Sequence, residues 1–118
     1  MKNIIIKRLP LFLALIYLYS FSISQDLEIG KSNGKYGFFG PSHTEWKIPA
    51  IYDDAWDFTN EIALVKKDGK WGFIDKTGKL VIPLIYDVIG SFSEGLCSVE
   101  KDDKQGFIDK TGVSPFPP

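Results

Sequence analysis

The chain has 118 residues, one cysteine, one histidine and a formal net charge of −1. That length holds one small domain. A lone cysteine closes no disulfide within the chain, and a lone histidine forms no multi-histidine metal site and no repeated histidine dyad. Without a basic excess there is little for a phosphate backbone to bind, so no nucleic-acid partner is expected.

In chain order, the first segment reads as an export signal. Lys2, Lys7 and Arg8 form a basic head, Leu9 to Ile23 is an uncharged apolar run, and Ser22-Ile23-Ser24 sets small residues at the two positions a signal peptidase reads. The run is 15 residues long, whereas a spanning helix needs about 20. Residues 1–24 are therefore expected to be cleaved rather than kept as an anchor. No cysteine stands near that site to carry a lipid. Cleavage removes three basic groups and no acid, leaving 11 Lys and Arg against 15 Asp and Glu over residues 25–118, a formal charge of −4. The expected location is exported (periplasm, cell surface or secreted), with no stable membrane span after cleavage.

The remaining residues read as short strands and tight turns. The first strands begin at Leu27, Ile62 and Leu96. Asn33-Gly34, Asp68-Gly69 and, more weakly, Asp102-Asp103 then suit two-residue hairpin turns, whose central residues both need positive φ. Second strands follow, Lys70 to Ile74 being the clearest; its alternation sets Trp71 and Phe73 on one face and Gly72 on the other, where a backbone approaches closely. Asp75-Lys76-Thr77-Gly78 fits a type I turn closed by a left-handed glycine. A third strand is expected over Lys79 to Ile82, ending at Pro83, which has no N–H for a ladder.

Self-comparison shows why these elements recur. Lys70-Trp71-Gly72-Phe73-Ile74-Asp75-Lys76-Thr77-Gly78 returns as Lys104-Gln105-Gly106-Phe107-Ile108-Asp109-Lys110-Thr111-Gly112, identical at eight of nine positions and offset by 34. Ile48-Pro49-Ala50-Ile51-Tyr52-Asp53 returns as Ile82-Pro83-Leu84-Ile85-Tyr86-Asp87, and Pro117 keeps that register. Phe58 matches Phe92, Ile62 matches Leu96, and Lys35-Tyr36-Gly37-Phe38-Phe39 is an earlier, worn copy. A fixed period of this size marks a repeat array. The expected fold is all-β: tandem three-stranded antiparallel meanders with a repeat of about 34 residues, at 27–49, 62–83 and 96–117, joined by connectors at 50–61 and 84–95. Such units either stack as a solenoid or curl into a small barrel or propeller-like array.

The string Lys70-Trp71-Gly72-Phe73-Ile74-Asp75, then Gly78, Val81-Ile82-Pro83, Ile85-Tyr86-Asp87 and Phe92-Ser93-Glu94-Gly95-Leu96, resembles the WG repeat of bacterial proteins. Tyr36 and Gln105 stand where that pattern has tryptophan, and Gly40-Pro41-Ser42-His43 replaces Asp-Lys-Thr-Gly in the first copy. The resemblance implies an all-β array module of the kind often met in exported proteins, and it brings no catalytic residues with it.

Candidate chemistry is sparse. Lys76-Thr77-Gly78 and Ser32-Asn33-Gly34-Lys35 match fragments of a penicillin-binding signature, but no Ser-Asp-Asn accompanies them. Asp53 and Asp87, which follow tyrosines at the repeat period, are expected to bond to the backbone of their own connectors rather than to a metal. Cys97 reads as a small packed hydrophobe. No cofactor and no catalytic activity are expected. The candidate site lies where the repeat lapses: Trp46 stands for Leu80, Trp56 for Gly90, and His43 and Glu45 have no counterpart. The expected role is a non-catalytic exported module contacting a protein or envelope component. The alternative is a glycan-binding or cell-wall-binding module using exposed Trp or Tyr rings.

Overall fold

A computed structural model describes residues 26–114; the expected signal peptide and Pro117 lie outside them. Ten strands follow one another: β1 Glu28–Ser32, β2 Lys35–Phe39, β3 Trp46–Tyr52, β4 Asp54–Ala55, β5 Ile62–Lys67, β6 Lys70–Asp75, β7 Leu80–Tyr86, β8 Val88–Ser93, β9 Leu96–Lys101 and β10 Lys104–Asp109. They form three antiparallel sheets, β1-β2-β3, β4-β5-β6-β7 and β8-β9-β10, and among the described residues no sheet closes into a barrel.

Local chemistry sets the hairpins. Asn33 and Gly34, Asp68 and Gly69, and Asp102 and Asp103 all carry positive φ, between 51° and 82°, so each pair turns the chain with the twist its flanking strands require. In the next turn, the Asp75 carboxylate accepts from Thr77 N–H, the Thr77 hydroxyl and Lys79 N–H, at 2.9, 2.5 and 3.1 Å. Gly78 closes this turn at φ 87°. Asp109 repeats the arrangement with Thr111 and Val113. In the first copy His43 takes the left-handed slot at φ 55°.

Two expectations change. The third strand does not stop at proline: β3 and β7 run through Pro49 and Pro83 to Tyr52 and Tyr86. Between the pairs Trp71–Tyr86 and Phe73–Ile82, β6 advances by Gly72 alone while β7 advances by Pro83, Leu84 and Ile85. The proline sits in this bulge, where the ladder is already broken and no N–H is needed. The backbone folds back over Gly72 so closely that a Cβ there would meet Ile82 O at 2.5 Å and Pro83 C at 2.8 Å. Gly37 faces Ile48 O and Pro49 C in the same way, at 2.5 and 2.6 Å. These are the close approaches that the glycine of Trp-Gly-Phe serves.

The connectors, secondly, are not plain loops. After Tyr52 the chain needs only Asp53 before β4 joins the second sheet, and after Tyr86 only Asp87 before β8 joins the third. Each β3-type strand thus continues into the next sheet, which makes the middle unit four-stranded rather than a three-stranded meander.

Alternation then builds two cores with the middle sheet between them. Ala63, Val65 and Ile74 pack with Phe38, Ile48 and Tyr52 of the first sheet. Phe73, Ile82 and Tyr86 pack with Cys97 and Ile108 of the third. The other face of β5, Ile62 and Leu64, joins the second core. Phe73 is thus core. Trp71, on the same strand face, is only partly buried and belongs to neither cluster; Lys66 Nζ lies 5.3 Å from its ring centroid. Cys97 is buried in the slot that Ala63 holds one unit earlier.

Candidate functional site

The repeated polar residues hold one unit to the next. Asp53 receives Lys35 Nζ on one carboxylate oxygen and the Asp68 backbone N–H, at 2.8 Å, on the other. Asp87 does the same with Lys70 and with Asp102 N–H at 2.9 Å. The carboxylate reaches across to the hairpin turn of the following unit, not back to its own connector as the sequence suggests; the neighbouring Asp54 does bond locally, to Ala55 N–H. The lysine beside each carboxyl, then the turn N–H, hold Asp53 and Asp87 below the usual carboxylate range. Thr77 and Thr111, with turn N–H groups, do the same for Asp75 and Asp109. All four acids are therefore occupied in holding the scaffold.

Connector residues 56–61 are held differently. Trp56 N–H donates to Leu64 O at 2.9 Å, and Thr59 and Ile62 bond each other across a tight turn. In that turn Asn60 and Glu61 have φ of 50° and 75°, in the slots of Glu94 and Gly95 one unit on. The backbone is thereby pinned to β5, and the indole projects outward, 63% exposed. It meets no other ring or cation among the described residues.

Beside the indole opens a cleft of about 390 Å³ between the second and third sheets. Its floor is apolar, from Ile62, Leu64, Phe73 and Phe92, while Asp57, Thr59, Asn60, Ser91 and Lys110 supply polar groups. Both successive connectors line it, one bringing Trp56 and the other Gly90.

The remaining predicted residues lie elsewhere. Trp46 stacks on Phe39 with ring centroids 3.9 Å apart, and the His43 ring is 6.2 Å from Phe39. His43 Nε2 pairs with Glu28 Oε2 at 2.5 Å, and Glu45 with Lys47 at 3.4 Å. His43 and Glu45 thus lie in the turn between β2 and β3, Trp46 opens β3 beside them, and none of the three lines the Trp56 cleft. Sequence reasoning missed Asp57, Asn60, Ser91 and Lys110 as cleft residues. The one signal that pointed to them was the lapse of the repeat at Trp56 and Gly90.

No three His, Cys, Asp or Glu side chains among the described residues are grouped to hold a metal ion. Lys76-Thr77-Gly78 and its copy end hairpin turns, with their threonine hydroxyls donated to Asp75 and Asp109. The Cys97 thiol is buried and donates to Gly90 O at 3.2 Å, and burial pushes its pKa up. That disfavours the reactive thiolate.

No curated protein and no solved structure matches the chain. The family described as WG containing repeat matches twice in succession, over residues 36–71 and 71–104. Those spans cover the glycine of the bulge, the Asp-Lys-Thr-Gly turn and the strand that crosses between sheets, and on that match the chain belongs to the WG-containing repeat family.

Proposed function

We propose that the protein is a non-catalytic, exported interaction module that contacts a partner protein or a component of the cell envelope through the Trp56 cleft. One observation carries the reading: the Trp56 indole stands 63% exposed on the rim of a cleft, at a position where the repeat breaks. Large aromatic rings anchor binding sites because they present much apolar area with few rotatable bonds. The repeated aromatics have structural work instead. Phe38 packs edge-on against Phe58 with ring centroids 4.8 Å apart, and Phe73 packs tilted against Phe92 at 5.3 Å. Export rests on the pattern of residues 1–24.

The test is co-sedimentation of the purified protein with envelope material from its own cell. Wild type is expected in the pellet, and Trp56→Ala at least ten-fold depleted from it. Thermal melts should coincide, because truncating an exposed ring changes stability by only about 0.5 kcal/mol. Equal sedimentation of the two proteins overturns the assignment of the cleft.

A further inference from the structure

We propose that the Trp56 cleft binds a saccharide, with a pyranose ring stacked on the indole and its hydroxyls held by the polar rim; the proposal rests on the cleft being the contact site. Size comes first. A volume of about 390 Å³ lies in the range of roughly 300–1,000 Å³ that small-ligand clefts span. A stable protein interface instead covers about 800 Å² on each partner, far more than one cleft of this size offers.

Chemistry comes second. A pyranose is amphipathic by face: C–H groups project from the ring plane and hydroxyls radiate around its edge. The C–H groups carry small positive partial charges and suit the electron-rich face of an indole. The hydroxyls, each both donor and acceptor, need donors and acceptors around the rim of the same site. The cleft has that division, with the Trp56 ring and an apolar floor surrounded by polar side chains.

The third observation separates this rim from the rest of the molecule. Asp53, Asp75, Asp87, Asp109, Thr77 and Thr111 are all engaged by partners within the fold. Around the cleft, Asp57, Thr59, Asn60, Ser91 and Lys110 use no side-chain hydrogen bond or ion pair among the described residues. Together they offer an acceptor, a cation, an amide and two hydroxyls. Polar groups that the fold does not use converge where an unpartnered aromatic face is presented.

The experiment is titration of the ¹⁵N-labelled protein with three soluble probes: tetrasaccharides of N-acetylglucosamine, of β-1,4-linked glucose and of galacturonic acid. The three tryptophans, Trp46, Trp56 and Trp71, give three indole N–H signals. Saturable binding of at least one probe is expected, moving the Trp56 indole while the other two stay. Trp56→Ala and Asp57→Ala should each weaken that binding at least ten-fold. Lys31→Ala, on β1, should leave it unchanged. Saccharide binding that survives Trp56→Ala undiminished overturns the proposal. So does the absence of binding by every probe when Trp56→Ala still abolishes envelope sedimentation, and that result leaves the interaction reading intact with a different ligand. If neither saccharides nor envelope depend on Trp56, both readings fall.

Discussion

The two junctions between sheets use the same slots and differ at their rim. At the first, Phe38, Ile48, Tyr52, Ala63 and Ile74 close the core; at the second, Phe73, Ile82, Tyr86, Cys97 and Ile108 stand in the corresponding places. Both are tied by a lysine–aspartate pair that also grips the next hairpin turn. The Gly78 turn rests on Ile48, and the Gly112 turn on Ile82 in the same manner. Apart from the conservative exchange of Ala63 for Cys97, the repeated positions yield near-equivalent joints. The distinctive feature, an exposed Trp56 on the rim of a cleft that Gly90 also lines, comes from a connector position outside both core clusters. A repeat protein can change such positions without disturbing its stacked core, because each unit packs only on its neighbours.

The largest expected effect tests whether the joints are the stability of the molecule. Phe38→Ala, at a ring with no exposed surface, should cost about 3–5 kcal/mol through the cavity it leaves. Trp71→Ala, at a partly exposed ring outside both cores, should cost less, since part of its area stays in water and its loss opens no cavity in either core. Chemical denaturation of both variants measures this. Equal losses would show that Trp71 is a core residue and that the two-core description is incomplete.

A smaller effect concerns two glycines that the repeat aligns. Gly72→Val drives a side chain into the backbone of Ile82 and Pro83 and should destabilise by about 1–3 kcal/mol or more. Gly106 has the same sequence context, and the positions 34 residues after Ile82 and Pro83 lie outside the described residues. By the repeat, Gly106→Val should shift the denaturation midpoint as Gly72→Val does. A Gly106→Val variant with the wild-type midpoint would show that the third unit lacks the bulge.

The smallest effect concerns pH, which should act on both junctions alike. Asp53, Asp75, Asp87 and Asp109 have folded pKa values held below their unfolded ones. Their contribution is present above the ordinary carboxylate range and is lost as pH falls through the lowered values. Lys35 and Lys70 are raised by their aspartate partners, and Tyr52 and Cys97 by burial. Their contribution is present below the unfolded pKa values and is lost as pH rises through the raised ones. The melting temperature should thus be flat near neutrality and fall at both extremes, modestly on the acid side because the pairs are solvent-exposed and screened by salt. Asp53→Asn with Asp87→Asn should flatten the acid limb; an unchanged acid limb would mean these pairs add nothing to stability.

Much of this was written in the local order of residues. Asn33-Gly34 and Asp68-Gly69 specify hairpins because few other residues adopt positive φ in succession, and Asp75 to Gly78 specifies a turn through bonds that stay within five residues. The 34-residue offset specified that these elements recur, and therefore that equivalent residues meet equivalent neighbours. Pro83 misled because its missing N–H ends a regular ladder, whereas here a bulge had already interrupted it, and a bulge depends on the partner strand. The reach of Asp53 to the next hairpin, the partial exposure of Trp71 and the separation of Trp56 from Trp46 are likewise contacts between distant segments. Composition and period determined an all-β repeat with these turns. Only the stacking of one sheet on another decided which aromatic rings fill the cores and which one is left facing a cleft, because burial is a property of what lies across the sheet rather than along the chain.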